Sequence, residues 1–343
     1  MKAAFLYKAE QPFQIKDIEK PKLEPGTAIV KVRAAGVCAT ELDFIEGIFP
    51  IKEGGLVPGH EIAGTIDEID AKAAGSFKKG DRVAIWNVMN CGVCHVCRSG
   101  MENACPQRKG QIGFTHNGGF EEYVQVPVGS LVALPANVSF EEGAVLSCGG
   151  ITAVHSSRIA GLRVGDRAVV NGVGGVGLLC IQVAKVSGAT VIAVADTKEK
   201  ADIAKKVGAD EAVVLDDYAG LGKKIQDLTG GLGADIYYDL VGTTASYRAG
   251  IDSVGIGGRL LIIGYQKEDH LDFYPVDLLV KEGKVITSVA GCKRDLEMVL
   301  HLAGRKLVSP VIQNRFPLDK INEAITLIVE RLVKGRSVIV MDA

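Results

Sequence analysis

The sequence lacks the features that mark membrane proteins and nucleic-acid-binding proteins. None of its apolar runs approaches the roughly 20 residues of a membrane-spanning helix. The first residues, MKAAFLYKAEQPF, contain no apolar segment of the kind that secretory signals carry. A net charge of -2 leaves no basic excess for phosphate backbones. We therefore expect a cytoplasmic protein without membrane or nucleic-acid partners.

A disulfide framework is not expected either. The chain has eight cysteines without an export signal, and the cytosol keeps thiols reduced. Aromatic residues make up only 6% of the chain, whereas apolar residues reach 47% and charged residues 23%. This balance is typical of globular proteins, and 343 residues suffice for two domains of ordinary size.

The hydrophobic pattern changes near residue 150 and again near residue 292. Up to about residue 130, short runs such as residues 27–37 alternate apolar and polar residues, which predicts antiparallel strands. Beyond residue 150, runs of Val, Ile and Leu alternate with amphipathic helices, which predicts a doubly wound parallel α/β sheet. From about residue 292 we expect two helices and a last strand that return to the first domain.

A glycine-rich loop lies between a predicted strand and a predicted helix. It consists of Gly172, Val173, Gly174, Gly175, Val176 and Gly177. In this pattern the first glycine permits a tight turn, the second lets the backbone approach a pyrophosphate, and the third lets helix and strand pack closely. The diphosphate then lies at the positive N-terminus of the helix. The loop therefore predicts a dinucleotide site.

Asp196 lies at the end of the next predicted strand, where its carboxylate can accept hydrogen bonds from the adenosine ribose. A 2′-phosphate would meet this carboxylate, so NAD is favoured over NADP. Lys198 and Lys200 lie close enough to leave room for NADP, and Lys200 is included in the candidate cofactor site. The alternative is a structural turn in which Asp196 caps the helix predicted at residues 198–207.

Four cysteines follow the pattern of a closed metal site in a lobe at about residues 88–108. Their spacing is Cys91-x2-Cys94-x2-Cys97-x7-Cys105. Two-residue gaps let neighbouring thiolates converge on one ion, and a closed four-sulfur shell predicts a structural zinc ion. A redox pair and an iron–sulfur cluster are the alternatives. His95 lies inside this lobe and is expected to face solvent.

Three further residues have neighbours that favour a second metal site. A lone cysteine is usually a small apolar residue, and a lone histidine is more often structural. Here, however, each residue has a distinctive neighbourhood. Cys38 comes directly after a predicted strand and two residues before Thr40. His60 lies in Pro-Gly-His-Glu, and Cys148 lies in Leu-Ser-Cys-Gly-Gly.

Together these segments resemble the zinc-containing medium-chain dehydrogenase/reductase family, which includes alcohol, sorbitol and threonine dehydrogenases. The resemblance covers essentially the whole chain. It is carried by Gly59-His60-Glu61, Gly80-Asp81-Arg82-Val83, the four-cysteine lobe, the Cys148 segment and the glycine-rich loop. It implies a GroES-like, mainly β catalytic domain formed by residues 1–148 and 292–343. It also implies a Rossmann dinucleotide-binding domain at residues 149–291.

The resemblance further implies a catalytic zinc ion bound by Cys38, His60 and Cys148, with Glu61 able to approach the metal. Three protein ligands leave the fourth position for a substrate oxygen. The implied enzyme interconverts a small-molecule alcohol and its aldehyde or ketone by hydride transfer to or from NAD. Family members are commonly homodimers or homotetramers.

The expected proton path departs from the family pattern. Thr40 resembles the hydroxyl that receives the substrate proton, although it can instead bond a turn. Many relatives have a histidine five residues after the first zinc cysteine, whereas this chain has Asp43. Asp43 can accept the proton, or the path can end in solvent. Glu41 either hydrogen-bonds His60 or caps the following helix.

Other assignments stay open at the level of the sequence. The substrate can be a polyol, a sugar or an amino alcohol of the threonine type, and the enzyme can be an NADP-preferring reductase. Zinc-free quinone or enoyl reductases lack both cysteine sets, and a nucleotide-binding protein without catalysis does not need them. Trp86 can line the substrate pocket or belong to the core. Phe49, Phe114 and His116 lie on loops that can reach the substrate.

Overall fold

The computed structural model describes residues 1–341, which form two compact units. Unit 1 combines Met1–Ile151 with the segment from Cys292 onward, and unit 2 is Thr152–Gly291. The strands are β1 (Lys2–Phe5), β2 (Gln14–Asp17), β3 (Thr27–Val37), β4 (Glu61–Ile69), β5 (Arg82–Ile85), β6 (Val88–Met89), β7 (Gly110–Gln111), β8 (Tyr123–Pro127), β9 (Leu131–Ala133), β10 (Arg167–Asn171), β11 (Thr190–Ala195), β12 (Glu211–Val214), β13 (Ala234–Asp239), β14 (Val254–Ile262), β15 (Lys284–Thr287), β16 (Ile312–Pro317) and β17 (Arg336–Val340).

The helices connect and cover these strands. The α-helices are α1 (Thr40–Ile45), α2 (His95–Arg98), α3 (Phe140–Val145), α4 (Ile151–Ile159), α5 (Gly175–Val186), α6 (Lys198–Lys206), α7 (Leu221–Leu228), α8 (Thr244–Ser253), α9 (Pro275–Leu279), α10 (Lys293–Gly304) and α11 (Ile321–Val329). A π-helical segment, Leu146–Gly150, joins α3 to α4. Within residues 1–341, no helix is both long and apolar enough to cross a membrane.

Unit 1 is built on a seven-stranded sheet in the order β16-β17-β3-β4-β5-β9, with β8 also paired to β3. Its pairs are antiparallel except β16 with β17. Strand β3 has the predicted bounds and is mostly buried, because its apolar residues face the core. Each fully buried Val or Ile side chain contributes about 1.5–3 kcal/mol, and this burial favours the register observed against β4.

The end of the chain returns to this sheet, as the sequence predicts. Strand β17 pairs antiparallel with β3, Ser337 opposite Val37 and Val340 opposite Ala34. The two predicted helices of this segment are α10 and α11. Strand β16 was not predicted, because its alternating residues carry charged and polar groups on an exposed face.

Unit 2 is a six-stranded parallel sheet in the order β12-β11-β10-β13-β14-β15. Its central strands β10, β11 and β13 are almost continuously buried. Their sequences are therefore apolar runs rather than alternations of apolar and polar residues. The strand order reverses between β10 and β13, and in such sheets ligands bind beyond the carboxyl ends of the strands at this point. The predicted doubly wound α/β fold is confirmed.

The segment that carries Cys148 was not recognised as helical from the sequence. Helix α3 begins with a capping box in which the Ser139 side chain accepts from the Glu142 amide and Glu142 accepts from the Ser139 amide. That Ser-x-x-Glu signal was available in the sequence. The π-helical turn that follows has no comparable signature, and such turns occur frequently at functional sites.

Candidate active site

The sheet of unit 1 brings Cys38 and His60 together. Cys38 follows the last residue of β3, and His60 precedes the first residue of β4. These strands are antiparallel neighbours with Gly36 opposite Glu61, so the end of one meets the start of the other. Cys148 reaches the same place from the π-helical segment.

The side chains of this group converge closely enough to hold one metal ion. One candidate ligand atom each of Cys38, His60, Glu61 and Cys148 lies within 4.8 Å of all the others. The His60 Nε2 and Cys148 Sγ atoms are 3.2 Å apart. A hydrogen bond to Cys148 and the charges of Arg336 and His60 hold the pKa of Cys38 well below its usual range, despite burial. This favours the thiolate, which is the form that binds metals.

Glu41 orients both the histidine and the first cysteine. Its Oε1 lies 3.0 Å from His60 Nδ1, and its Oε2 accepts a hydrogen bond of 2.8 Å from the Cys38 amide. In the first contact, His60 Nδ1 donates its proton to the carboxylate in a hydrogen bond. Nε2 is then the ring nitrogen available to bind a metal in the cluster. Burial lowers the pKa of His60, but the Glu41 charge and hydrogen bonds to Cys38 and Glu41 outweigh it and raise this pKa to about 10. Of the two roles considered for Glu41, the contact with His60 is the one observed.

Glu61 is paired with Arg336, a residue that the sequence did not single out. Both side chains are buried, and the guanidinium donates to Glu61 Oε1. The other oxygen, Oε2, has no hydrogen-bond partner among residues 1–341. A Cβ at position 36 would lie 1.8 Å from Oε2, so Gly36 leaves room for this carboxylate. No spacing rule connects residues 61 and 336; only the pairing of β17 with β3 brings them together.

These observations fit a zinc ion. Two sulfur donors and one imidazole nitrogen make up a ligand set that zinc prefers, and one carboxylate oxygen of Glu61 lies within the same cluster. Thiolates and neutral histidine are poor ligands for magnesium or calcium, which take oxygen. The donor chemistry therefore agrees with the zinc site that the sequence predicts.

The four cysteines of the lobe form a second, separate cluster. The Sγ atoms of Cys91 and Cys97 are 3.9 Å apart, those of Cys94 and Cys105 are 3.9 Å apart, and those of Cys105 and Cys91 are 3.6 Å apart. A tetrahedron with Zn–S bonds of about 2.3 Å has edges of about 3.8 Å. The spacing of the sulfur atoms thus fits zinc. His95 is exposed, as predicted.

Backbone amides complete the surroundings of these sulfurs. The Cys94 amide donates to Cys91 Sγ at 3.4 Å, and the Cys97 amide donates to Cys94 Sγ at 3.5 Å. Amide hydrogen bonds, first from Val93 and then from Cys94, lower the pKa of Cys91 to about 6. This favours the thiolate of Cys91, the form that binds zinc.

Aromatic side chains border the Cys38–His60–Cys148 cluster on one side. The ring of Phe114 lies 5.1 Å from the ring of His60, and Phe114 contacts both Phe44 and Phe49. Trp86 is buried, with 3% of its surface exposed, and His116 is exposed. Phe114 is thus the loop residue that approaches the cluster, and Phe49 contacts Phe114.

The proposed proton-path residues begin helix α1. Thr40 Oγ1 lies 3.4 Å from Cys38 Sγ, which sets the hydroxyl beside the metal cluster. Asp43 lies three residues further along this helix, so both side chains project from the same face. Both are partly accessible to solvent.

The glycine-rich loop in unit 2 has the expected backbone geometry. Gly172 has φ 103°, a conformation that other residues rarely adopt. A Cβ on Gly177 would lie 2.0 Å from the Gly172 carbonyl oxygen. Helix α5 begins at Gly175 after an N-cap, Gly174, that has no side chain to satisfy the helix amides. These amides form a typical site for a phosphate.

Asp196 follows β11 directly, and its side chain is 64% exposed. Its Oδ2 accepts a hydrogen bond of 2.7 Å from Lys200 Nζ. The N-cap of α6 is Thr197, whose side chain accepts from the Lys200 amide, so Asp196 is not the capping residue. The alternative of a purely structural cap at Asp196 is therefore wrong.

The chain belongs to the zinc-binding dehydrogenase family. Residues 175–305 match the profile described as "Zinc-binding dehydrogenase", and residues 24–136 match "Alcohol dehydrogenase GroES-like domain". The chain is 33% identical to an alcohol dehydrogenase of Geobacillus stearothermophilus, over 100% of both chains. It is 34% identical to a D-arabinose 1-dehydrogenase (NADP(+)) of Saccharolobus solfataricus, covering 98% of this chain and 97% of the relative.

Two further similarities agree with this family. The chain is 31% identical to an NAD-dependent alcohol dehydrogenase of Sulfolobus acidocaldarius, over 99% of both chains. Its fold matches the crystal structure of the Aeropyrum pernix alcohol dehydrogenase with a TM-score of 0.90 at 31% identity. That match covers 99% of this chain and 100% of the other.

Proposed function

We propose that the chain is a zinc-dependent oxidoreductase that interconverts an alcohol and its aldehyde or ketone with NAD. The observation that carries this proposal is the buried convergence of Cys38, His60 and Cys148, with Glu41 directing the Nε2 atom of His60 into the cluster. The catalytic domain comprises residues 1–148 and 292–343, and the dinucleotide-binding domain comprises residues 149–291.

Cys38, His60 and Cys148 hold the catalytic zinc ion, and Glu61 can approach it. When bound, zinc supplies a Lewis acid that polarises the substrate oxygen and lowers its pKa. Thr40 accepts the substrate proton at Oγ1, beside Cys38 Sγ, and releases its own hydroxyl proton. Asp43, on the same face of α1, passes this proton to solvent.

The cofactor is NAD, held by the glycine-rich loop at residues 172–177. The free amides at the start of α5 bind the diphosphate. The Asp196 carboxylate accepts hydrogen bonds from the adenosine ribose, and its negative charge disfavours the 2′-phosphate of NADP. Lys200 holds this carboxylate in place through its 2.7 Å contact.

The aromatic group around Phe114 favours a small alcohol with an apolar substituent. Phe114, Phe49 and Phe44 contact one another, and the Phe114 ring lies 5.1 Å from the ring of His60. Apolar walls of this kind bind alkyl or aryl groups through burial of apolar area. The substrate is thus a small-molecule alcohol or carbonyl compound.

The chain assembles as a homodimer, or as a homotetramer of such dimers, in the cytoplasm. Strand β15 is the last strand of its sheet and exposes one edge. Nearby apolar side chains are strongly exposed, including Tyr274, Leu279, Val280 and Val289. A two-fold axis would pair this edge with its copy and cover these side chains. Reduced thiols at both metal clusters suit the cytosol.

Metal analysis and two variants test the proposal together. Purified protein should contain about two zinc ions per chain and reduce NAD when screened at 340 nm with alcohols, diols and polyols. Cys148→Ala should lose turnover and about one zinc while retaining the fold, whereas Cys97→Ala should chiefly lower Tm. Zinc-free protein with full activity, or the reverse pattern in the two variants, would contradict the proposal.

A further inference from the structure

A segment of unit 1 is bonded to the backbone immediately before His60. We call residues 57–59 the His60 loop and residues 117–121 the adjacent segment. In the adjacent segment, Gly118 donates to the Val57 carbonyl at 2.7 Å, and Gly119 donates to the Gly59 carbonyl at 2.6 Å. The Phe120 amide donates to the Pro58 carbonyl at 3.1 Å. A change in the adjacent segment is thus transmitted to the backbone that carries His60.

The two segments also approach each other too closely to shift independently. A Cβ on Gly118 would lie 2.2 Å from the Gly59 carbonyl oxygen, and a Cβ on Gly113 would lie 2.8 Å from the His60 amide nitrogen. Such contacts leave no room for a side chain. The position of the His60 loop therefore depends on the position of this glycine-rich neighbour.

Glu121 ends the adjacent segment as a buried carboxyl group. Only 2% of its surface is exposed, and its Oε2 has no hydrogen-bond partner within residues 1–341. The backbone at Glu121 is bridged to Ala3, next to the Ala4 amide that donates to the Phe120 carbonyl. Asn117 provides the hydrogen bond to Glu121. Nothing in the proposed reaction uses this carboxyl group.

Few charged groups face Glu121. Lys52, from the loop before the His60 loop, contacts Asn117 Oδ1 at 3.4 Å and is exposed. Directly before and after the adjacent segment, His116 is exposed and Glu122 accepts from the Lys2 amide of β1. Burial raises the pKa of Glu121 to about 8. The charge of Lys52 and the hydrogen bond with Asn117 lower this pKa, but by less than burial raises it.

We propose that Glu121 is a positioning residue for the His60 loop, which it holds in place while its carboxyl group is neutral. A charge on the buried Oε2 must be hydrated, because no donor is present to bond it. Water can reach it only if the adjacent segment separates from β1 or from the His60 loop. Ionisation of Glu121 therefore loosens the backbone contacts that precede His60. This inference does not depend on the proposed reaction.

The sign of the pH dependence follows from the raised pKa. The folded chain keeps the Glu121 proton up to about pH 8, whereas an unfolded chain releases it near its ordinary pKa of 4.5. At pH values between these two pKa values, the folded state binds one more proton than the unfolded state. The contribution of Glu121 to stability therefore falls as pH rises through this window. Above about pH 8 the contribution is lost.

The test compares Glu121→Gln with Glu122→Gln, its neighbour on the chain, as matched control. Tm is measured from pH 5 to 9.5, together with deuterium uptake by peptides covering residues 55–62 and 113–122, corrected for intrinsic exchange. We expect wild type and Glu122→Gln to show a transition in which Tm falls and exchange becomes faster as pH rises from 5, ending at about pH 8 and levelling off above it. Glu121→Gln, which cannot ionise, should lack this transition.

Lys52→Gln provides a second variant at an exposed position, where folding is not at risk. Removing the positive charge that favours the carboxylate should raise the pKa of Glu121 and move the end of this transition to higher pH. The proposal is overturned if the Tm difference between wild type and Glu121→Gln does not change with pH. It is equally overturned if the transition appears without faster exchange at residues 55–62, or if Lys52→Gln leaves the pH at which the transition ends unchanged.

Discussion

Glu41 is the residue on which the orientation of the proposed catalytic ligands most depends. It is fully buried and contacts His60 Nδ1 and the Cys38 amide at once. Carboxylates that bond the far nitrogen of a ligating histidine fix its tautomer and raise its basicity. One side chain thus sets the geometry of two ligands.

Glu41→Gln should therefore weaken zinc binding at this cluster. A carboxamide accepts with one oxygen only, so it cannot serve both His60 and the Cys38 amide. We expect a loss of about 10–100-fold in zinc affinity, measured by competition with a chelator. Glu46→Gln, at the exposed end of the same helix, is the matched control. Equal zinc retention by both variants would remove Glu41 from this role.

At the scale of elements, most strands and helices that the sequence predicted have at least one buried face, although some buried elements such as α3 and α4 were missed. Strand β3 has the predicted bounds, and the unit 2 strands follow their apolar runs. Strand β2, with Gln14, Lys16 and Asp17, was missed because it is largely exposed. Its apolar pattern is therefore weak. The strand forms because it pairs with β1, not because it is buried.

The candidate site was also predictable from the sequence only in part. Cys38, His60 and Cys148 were found because each carries a recognisable neighbourhood in the sequence. Arg336 was missed because a buried partner for Glu61 has no local signature and depends on strand pairing across the whole of unit 1. Long-range ion pairs of this kind follow from topology, which a single sequence does not specify.

The loop–helix element of unit 2 makes a prediction about cofactor choice. Asp196→Gly removes the carboxylate that follows β11 and leaves Lys200 without its partner. Hydrogen bonds to a charged group contribute about 1.5–3 kcal/mol, so NAD affinity should fall about 10–100-fold relative to NADP. The measurement is the ratio of kcat/KM for the two cofactors. Asp202→Gly, on the exposed face of α6, should keep the wild-type ratio.

At the scale of the whole molecule, unit 1 is discontinuous in sequence. Its sheet places β17, from the end of the chain, between β16 and β3, which comes from the beginning. The core of unit 1 includes Leu318, Ile321 and Ile339 together with residues before position 132. Neither part of the sequence contains a complete core on its own.

Two fragments test this organisation. Residues 1–151 alone lack the strand that pairs with β3 and the guanidinium that neutralises Glu61, so they should not fold cooperatively. The same residues joined by a short flexible linker to residues 292–343 should fold and bind zinc. Thermal unfolding followed by circular dichroism distinguishes the outcomes. A cooperative transition in residues 1–151 alone would show that the returning strands are dispensable.

The location of Arg336 has a consequence for how the protein is made. A ribosome completes Glu61 early and Arg336 only after all of unit 2 has emerged. Until then, the nascent chain carries every cysteine of both metal clusters but not the counter-charge beside one of them. Prematurely released chains would therefore expose an unfinished sheet edge and an unpaired carboxylate, features by which proteases distinguish incomplete products from finished ones.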